Sequence, residues 1–191
     1  MRKRVFIAIN LPEEIKKELF QQQKEWKNLP IRWTPKENLH ITLVFIGYIN
    51  NQQLKEISFL TNKAVNSYSS FVVRFKKICL APPNRSPRMV WLEIERSLEM
   101  LHLKQSLEEL FLKNSQKTGF FEKERRLFSP HITLGRIRIF EWNQLKKKPQ
   151  IEKKFFSEFR VNSVEIMESL LSREGAKYSL LESIQLSNIK E

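Results

Sequence analysis

The chain has 191 residues, of which 41% are hydrophobic, and it carries a formal net charge of +13. These values predict a globular protein, which could be one domain or two small lobes. The longest apolar stretches are strand-sized, which excludes a transmembrane helix, and the run at 5–9 is too short for a signal peptide. Cys79 is the only cysteine, so an internal disulfide and a cysteine-based metal site are both excluded. We expect a monomer in the cytoplasm that does not associate with membranes.

The positive charge favours a polyanionic partner, chiefly nucleic acid. Lysine-rich surfaces also arise from genome composition and from the need for solubility. The charge therefore supports a phosphate-bearing substrate but does not identify one.

The first part of the chain alternates between strand and helix signals. Pro12 and the two acidic residues after it are typical of a helix start, and Asn50 is a candidate N-cap for a second helix. In chain order the patterns predict a strand at 5–10, a helix from 12 to 29, a short extended piece at 31–33, a strand at 39–47 and a helix from 50 to about 67.

The remaining sequence continues the alternation after a proline-rich loop at 81–88, in which Arg85 and Arg88 are candidate phosphate contacts. The predicted elements are strands at 71–80 and 89–95, a helix at 98–112, a charged connector at 116–126, a strand at 131–139, a short helix at 140–148, and strands at 155–159, 161–167 and 176–186. This order predicts an α+β fold with antiparallel or mixed sheets.

One tetrapeptide occurs twice, nearly half the chain apart. His40-Ile41-Thr42-Leu43 is repeated as His131-Ile132-Thr133-Leu134. Because side chains alternate across a strand, each histidine shares a face with the threonine two residues later, while the intervening isoleucine points into the core. The repeat therefore predicts two similar lobes whose motif strands line a polar cleft between them.

Two imidazoles on either side of one phosphorus atom can divide the work of hydrolysis. The neutral ring accepts a proton from water, and the protonated ring donates one to the leaving oxygen. The hydroxyls of Thr42 and Thr133 can donate hydrogen bonds to the non-bridging phosphate oxygens. Arg136 is a further candidate for phosphate binding, although simple alternation points it away from His131 unless a bulge near Gly135 turns it. A strained cyclic phosphodiester, such as a ribose 2′,3′-cyclic phosphate, suits this chemistry best.

Other interpretations of these residues remain open at this point. Each histidine could be a structural residue. The pair could also ligate zinc, although no carboxylate or third histidine lies at a spacing typical of a zinc site. His102 falls within a predicted helix and is expected to be a structural or surface residue. Trp33 and Phe45 are expected in the core rather than against a nucleobase.

Together, the two motifs and their flanking residues resemble the 2H phosphoesterase superfamily, and within it the bacterial and archaeal RNA 2′,3′-cyclic phosphodiesterases, also described as 2′-5′ RNA ligases. The resemblance covers nearly the whole chain. It is carried by the motif strands and by the stretches 4–9 with 11–12, 32–35, 38–47, 90–91 and 128–136.

The resemblance implies one bilobal domain over 1–191, with an α+β fold in which antiparallel or mixed sheets flank a central cleft and helices lie on the outer faces. It implies hydrolysis of a terminal 2′,3′-cyclic phosphate of RNA, or of a cyclic nucleotide, to a 2′-phosphate, with no metal and no cofactor. His40 would be the proton donor to the 3′ oxygen, His131 the base that activates water, and Thr42 and Thr133 the phosphate ligands. The alternatives are 2′-5′ ligation of RNA ends and binding of phosphorylated RNA ends without turnover.

Overall fold

The computed structural model describes residues 2–83, 85–115, 119–124, 126–172 and 175–187. Within these ranges, ten strands form one antiparallel sheet, and the helices alternate with strands along the chain in the predicted order. The strands are β1 Lys3–Asn10, β2 Ile31–Trp33, β3 His40–Ile49, β4 Phe71–Ala81, β5 Met89–Ile94, β6 His131–Ile137, β7 Glu152–Lys154, β8 Glu158–Val161, β9 Ser163–Ser172 and β10 Gly175–Gln185. The helices are α1 Glu13–Lys24, α2 Asn51–Val65, α3 Leu98–Ser115 and α4 Ile139–Gln144, with a short 3₁₀ turn at Lys36–Asn38.

The order of the strands puts the two motifs at the centre of the sheet. It is β10-β9-β1-β3-β6-β5-β4-β7, with β2 paired to β6 and β8 paired to β4. All named strand pairs are antiparallel. Of the two predicted arrangements, antiparallel or mixed, the structure therefore has the antiparallel one. The α+β class is confirmed, while the division into two lobes stays a prediction.

Most elements lie within a few residues of their predicted bounds. Asn50 caps α2 with a reciprocal capping box, its side chain accepting from the Gln53 amide and the Gln53 side chain accepting from the Asn50 amide. The strand predicted to reach 139 ends at Ile137, because α4 begins two residues later, at Ile139, and buries Trp142. The strand predicted at 155–159 is replaced by β7 and β8, which pair with different parts of β4.

One face of the central sheet is buried under helices. Ile41, Leu43, Ile132 and Leu134 belong to a single hydrophobic core that also includes Leu60 of α2 and Leu107 of α3. This burial is the main stabilising term of the fold. The four polar motif residues alternate with these apolar ones, so they lie on the opposite face of the sheet. In the described part of the chain, no helix has the length and apolar character to cross a membrane.

Both motif strands carry a β-bulge at the same position of the repeat. Against β1, β3 skips Leu43, and against β5, β6 skips Leu134, the last residue of each tetrapeptide. A bulge reverses the alternation beyond it. As a result, the fifth residue after each histidine returns to the face that holds the histidine. These residues are Phe45 in β3 and Arg136 in β6.

Gly135 follows the bulge of β6 at a point where β2 packs very closely. A Cβ atom at Gly135 would lie 2.6 Å from Cγ2 of Ile31 and 3.0 Å from Cε3 of Trp33. Only glycine fits without moving β2, and β2 pairs with β6 directly beside Arg136.

We therefore expect Gly135→Ala to lower the free energy of unfolding by about 1–3 kcal/mol, the usual cost of overpacking a buried site. Urea unfolding followed by tryptophan fluorescence measures the change. A variant as stable as the parent chain would contradict the close packing of β2 on β6.

Candidate active site

Two facing isoleucines bring the motif strands together. Ile41 of β3 pairs with Ile132 of β6, and neither side chain is exposed to solvent. Residues on either side of this pair point to the other face, which we call the histidine face. It carries His40, Thr42, His131 and Thr133. Because directly opposite residues of antiparallel strands lie about 5 Å apart and diagonal ones about 7–8 Å apart, the two imidazoles approach one another across the strand pair.

The His40 ring is held in one tautomer by its own strand. Nδ1 donates a hydrogen bond to the backbone carbonyl of Asn38 at 2.8 Å. Because a carbonyl can only accept, the proton of the neutral ring lies on Nδ1, and Nε2 is the free base. The hydroxyl of Thr42 donates to Nε2 at 2.9 Å. His40 and Thr42 therefore form a linked pair before any substrate arrives.

The His131 ring is held in the same way. Its Nδ1 donates to the carbonyl of Ser129, two residues upstream, at 2.7 Å. Nε2 is again the nitrogen with the free lone pair. The two histidines thus show the same backbone contact on both copies of the repeat, and both present Nε2 for proton transfer.

Aromatic rings from outside the motif bury His40. The ring of Phe6 lies 5.0 Å from that of His40, and Tyr178 meets the imidazole edge-on at 5.1 Å. The buried side chain of Asn38 keeps Tyr178 there, because it donates to the carbonyl of Ala176 at 2.7 Å and accepts from the amide of Tyr178 at 3.3 Å. One residue therefore fixes both the tautomer of His40 and the strand that covers its ring.

A single indole covers His131. Trp91 of β5, directly opposite Thr133, stacks on the imidazole with centroids 3.7 Å apart and planes 18° apart. The indole Nε1 of Trp91 is buried and has no hydrogen-bond partner among the described residues. This stacking fixes the plane of the His131 ring and shields one side of it from water.

Both rings are difficult to protonate in the free protein. Burial lowers the pKa of His40 to about 4. The hydrogen bond to the Asn38 carbonyl opposes this shift, and the electrostatic effects of nearby Lys16 and His131 lower the pKa further. Burial also lowers the pKa of His131, against the effect of the Ser129 carbonyl. At neutral pH both imidazoles are therefore uncharged.

Comparisons with known proteins agree with this geometry. A family model described as LigT like Phosphoesterase matches residues 9–91. A relative from Methanocaldococcus jannaschii, named RNA 2′,3′-cyclic phosphodiesterase, is 32% identical over 93% of this chain and 98% of its own length. The chain belongs to the LigT-like phosphoesterase family.

Several solved structures share the fold. The protein TT0787 of Thermus thermophilus superposes with a TM-score of 0.84 at 23% identity, covering 97% of this chain and 99% of that one. LigT of E. coli, crystallised with 3′-AMP, superposes with a TM-score of 0.80 at 23% identity, covering 98% and 100% of the two chains.

Other predicted residues of this LigT-like phosphoesterase are found in different surroundings. Arg136 is exposed on the histidine face, because the bulge at Leu134 cancels the alternation that would have turned it away. The same effect at Leu43 makes the core assignment of Phe45 wrong, since its side chain is 62% exposed. Trp33 packs against the core as expected.

The remaining candidates do not join the histidine pair. Arg85 and Arg88 are both exposed in the proline-rich loop, and their role as phosphate contacts stays a prediction. His102 is exposed on α3, as expected of a structural or surface residue. Among the described residues, no three histidine, cysteine, aspartate or glutamate side chains cluster in a way that could hold a metal ion.

Sequence reasoning missed the residues that enclose the two rings. Trp91 and Tyr178 are distant in sequence from the histidines that they contact. Asn38 is close to His40 in sequence but lies outside the repeated tetrapeptide. The stretches 90–91 and 38–47 are part of the family resemblance, so Trp91 and Asn38 carried a signal. Tyr178 reaches His40 only through the β9–β10 hairpin, and no local pattern indicates that contact.

The low pKa of His40 makes folding depend on pH. The unfolded imidazole binds a proton at about pH 6.5, whereas the folded one binds it only near pH 4. Between these values the unfolded chain holds more protons, so stability is full above pH 6.5 and falls as the pH decreases toward 4. We expect His40 to account for about 2–3 kcal/mol of this loss.

Urea unfolding at several pH values between 7.5 and 4 measures the effect, with His40→Gln as the comparison. The variant cannot take up this proton, so its stability curve should be flatter over this range. Parallel curves for the two proteins would show that the His40 pKa is not depressed.

Proposed function

We propose that this phosphoesterase hydrolyses the terminal 2′,3′-cyclic phosphate of RNA to a 2′-phosphomonoester by a two-histidine acid–base mechanism that uses no metal. Relatives of the family carry the name RNA 2′,3′-cyclic phosphodiesterase over nearly the full length of this chain. The net charge of +13 favours an RNA substrate. The fold neighbour E. coli LigT was crystallised with 3′-AMP, a nucleotide with a phosphate on its ribose.

The observation that carries the proposal is the matched pair of backbone contacts at the two histidines. Each Nδ1 donates to the carbonyl two residues upstream, so each Nε2 is left to accept or donate a proton on the histidine face. One free lone pair and one proton donor are what hydrolysis of a phosphodiester needs on opposite sides of the phosphorus atom.

Water is the only reactant that hydrolysis of the cyclic phosphate needs, and the two imidazoles carry the protons. Nε2 of His131 takes a proton from water, and the water oxygen forms a bond to phosphorus. The bond between phosphorus and the 3′ oxygen breaks, and Nε2 of protonated His40 gives its proton to that oxygen. The products are a 2′-phosphate and a 3′-hydroxyl, and exchange with solvent restores both rings.

The threonines stabilise the charge that develops on the phosphate. Thr42 and Thr133 lie on the histidine face beside the two rings, where their hydroxyls can donate to the non-bridging oxygens. Thr42 donates to His40 in the free protein. When phosphate binds, this hydroxyl turns to a phosphate oxygen and releases Nε2 of His40 for proton transfer. Arg136 adds positive charge on the same face.

The proton on His40 must arrive with the substrate. Because the pKa of His40 is about 4 in the free protein, its ring is neutral at pH 7. A phosphodiester anion beside the ring favours the charged form and raises this pKa. Binding and protonation are therefore coupled, while His131 stays neutral and able to act as the base.

Removing either imidazole should abolish hydrolysis while leaving the fold intact. We expect His40→Ala and His131→Ala each to lower kcat for 2′,3′-cyclic AMP by about 10²–10⁴-fold, the usual contribution of one positioned acid or base. Chromatography that separates 2′-AMP from 3′-AMP follows the product.

His102→Ala, a change on α3, is the matched control and should retain the parental rate. A chelator should also leave the parental rate unchanged. Full activity in either motif variant would refute the assigned pair, and loss of activity with the chelator would refute the absence of a metal.

Substrate binding should take up a proton through His40. In the inactive His131→Ala protein at pH 7, we expect 2′,3′-cyclic AMP to bind with uptake of up to one proton, because its charge stabilises the imidazolium. Calorimetric titration in two buffers of different ionisation enthalpy gives the number of protons. The doubly substituted His40→Gln, His131→Ala protein should take up none, and equal uptake by both proteins would show that His40 is not the group that is protonated.

A further inference from the structure

Two arginines lie side by side on adjacent strands next to the histidine pair. Arg32 of β2 is directly opposite Arg136 of β6 in an antiparallel register, and both side chains are exposed. Directly opposite residues of an antiparallel pair project from the same face of the sheet. The two guanidinium groups therefore project together.

The face they share is the histidine face. Arg136 is also opposite Met89 of β5, and its Nη1 lies 3.8 Å from the sulfur of Met89. Met89 is two residues before Trp91 on an unbulged strand, and Trp91 is opposite Thr133 and stacks on His131. Arg32 and Arg136 thus continue the surface that carries the two imidazoles.

This placement of charge is unfavourable for the free protein. Like charges directly opposite one another destabilise a strand pair. The described residues form seven ion pairs within 4.0 Å, and neither Arg32 nor Arg136 takes part in any of them. An anion that bridges both guanidinium groups would relieve the repulsion, and phosphate matches the donor geometry of arginine.

The distance along β6 suits a phosphate next to the reacting one. Arg136 follows Thr133 by three residues, one of which is taken up by the bulge at Leu134. The two Cα atoms are therefore separated by about two strand spacings, or roughly 7 Å. The long side chains of Arg32 and Arg136 extend the surface further away from the two histidines. A second phosphate of the same strand, one nucleotide away from the terminal one, can lie there.

We propose that Arg32 and Arg136 form a second anion site, which binds the phosphodiester on the 5′ side of the terminal nucleotide. The inference rests on the proposed function and adds a substrate class to it. The site distinguishes an oligonucleotide that ends in a cyclic phosphate from a cyclic mononucleotide, which has no such phosphodiester. Arg32 lies on β2, outside both motif strands, so the repeated tetrapeptide gives no indication of its role.

The test compares two substrates in the parent protein and in Arg32→Ala. The substrates are 2′,3′-cyclic AMP and an adenosine trinucleotide that ends in a 2′,3′-cyclic phosphate. We expect the ratio of kcat/KM for the trinucleotide to that for the mononucleotide to fall by about 10-fold in Arg32→Ala, through KM, because one charged contact to phosphate is lost. Arg160→Ala removes the same charge from β8, which pairs with β4 rather than with β6, and should leave the ratio unchanged.

A binding measurement keeps the two proposals separate. Fluorescence anisotropy of the labelled trinucleotide, with the His131→Ala background to prevent turnover, should give a Kd about 10-fold higher when Arg32→Ala is added. The slope of log Kd against log salt should become shallower by about 0.7, the value for one lost single-strand phosphate contact.

If the parent protein turns over neither substrate, the proposed function fails and the anisotropy result alone decides on the arginine site. An unchanged substrate ratio together with an unchanged Kd would overturn the site. An equal loss for both substrates would also overturn it, because Arg32 would then serve the reacting phosphate or the fold.

Discussion

The contact between Ile41 and Ile132 is the constraint on which the histidine face depends. It is the only register pair that joins β3 to β6 in the described part of the chain, and it joins two segments that stand nearly half the sequence apart. Because both isoleucines are fully buried among residues of α2, α3 and the sheet, hydrophobic burial fixes which face the neighbouring histidines occupy. The position of the polar residues is thus set by the apolar residue between them.

The surroundings of the two histidine rings disfavour the charged form of each imidazole. Burial against Phe6, Tyr178 and Trp91 makes a charged imidazole costly, yet the proposed acid–base mechanism needs one ring in the charged form. The backbone carbonyls that accept a hydrogen bond from Nδ1 reduce this cost and fix the orientation of each ring. In the proposed mechanism, the buried His40 ring stays unprotonated until the anionic substrate binds beside it.

Much of this fold follows from local patterns. The order of strands and helices, the cap at Asn50 and the shared face of each histidine with its threonine depend on spacing over a few residues. The neighbouring positions of β3 and β6 depend on pairing between distant segments, and the bulges at Leu43 and Leu134 depend on the partner strand. Sequence alternation alone therefore gave no sign that Phe45 lies outside the core, and it left the direction of Arg136 undecided.

The mirrored bulges have a consequence for the direction in which a chain can lie across the site. For the RNA substrate proposed above, a strand pair with two-fold symmetry would offer two equivalent orientations, and the change from one to the other would exchange the roles of the two histidines. At the position five residues after each histidine the symmetry is broken, with an exposed phenyl ring on one strand and a guanidinium group on the other. Under the proposed function, this difference favours one direction of the RNA strand across the surface, and it would assign the acid role to one tetrapeptide and the base role to the other.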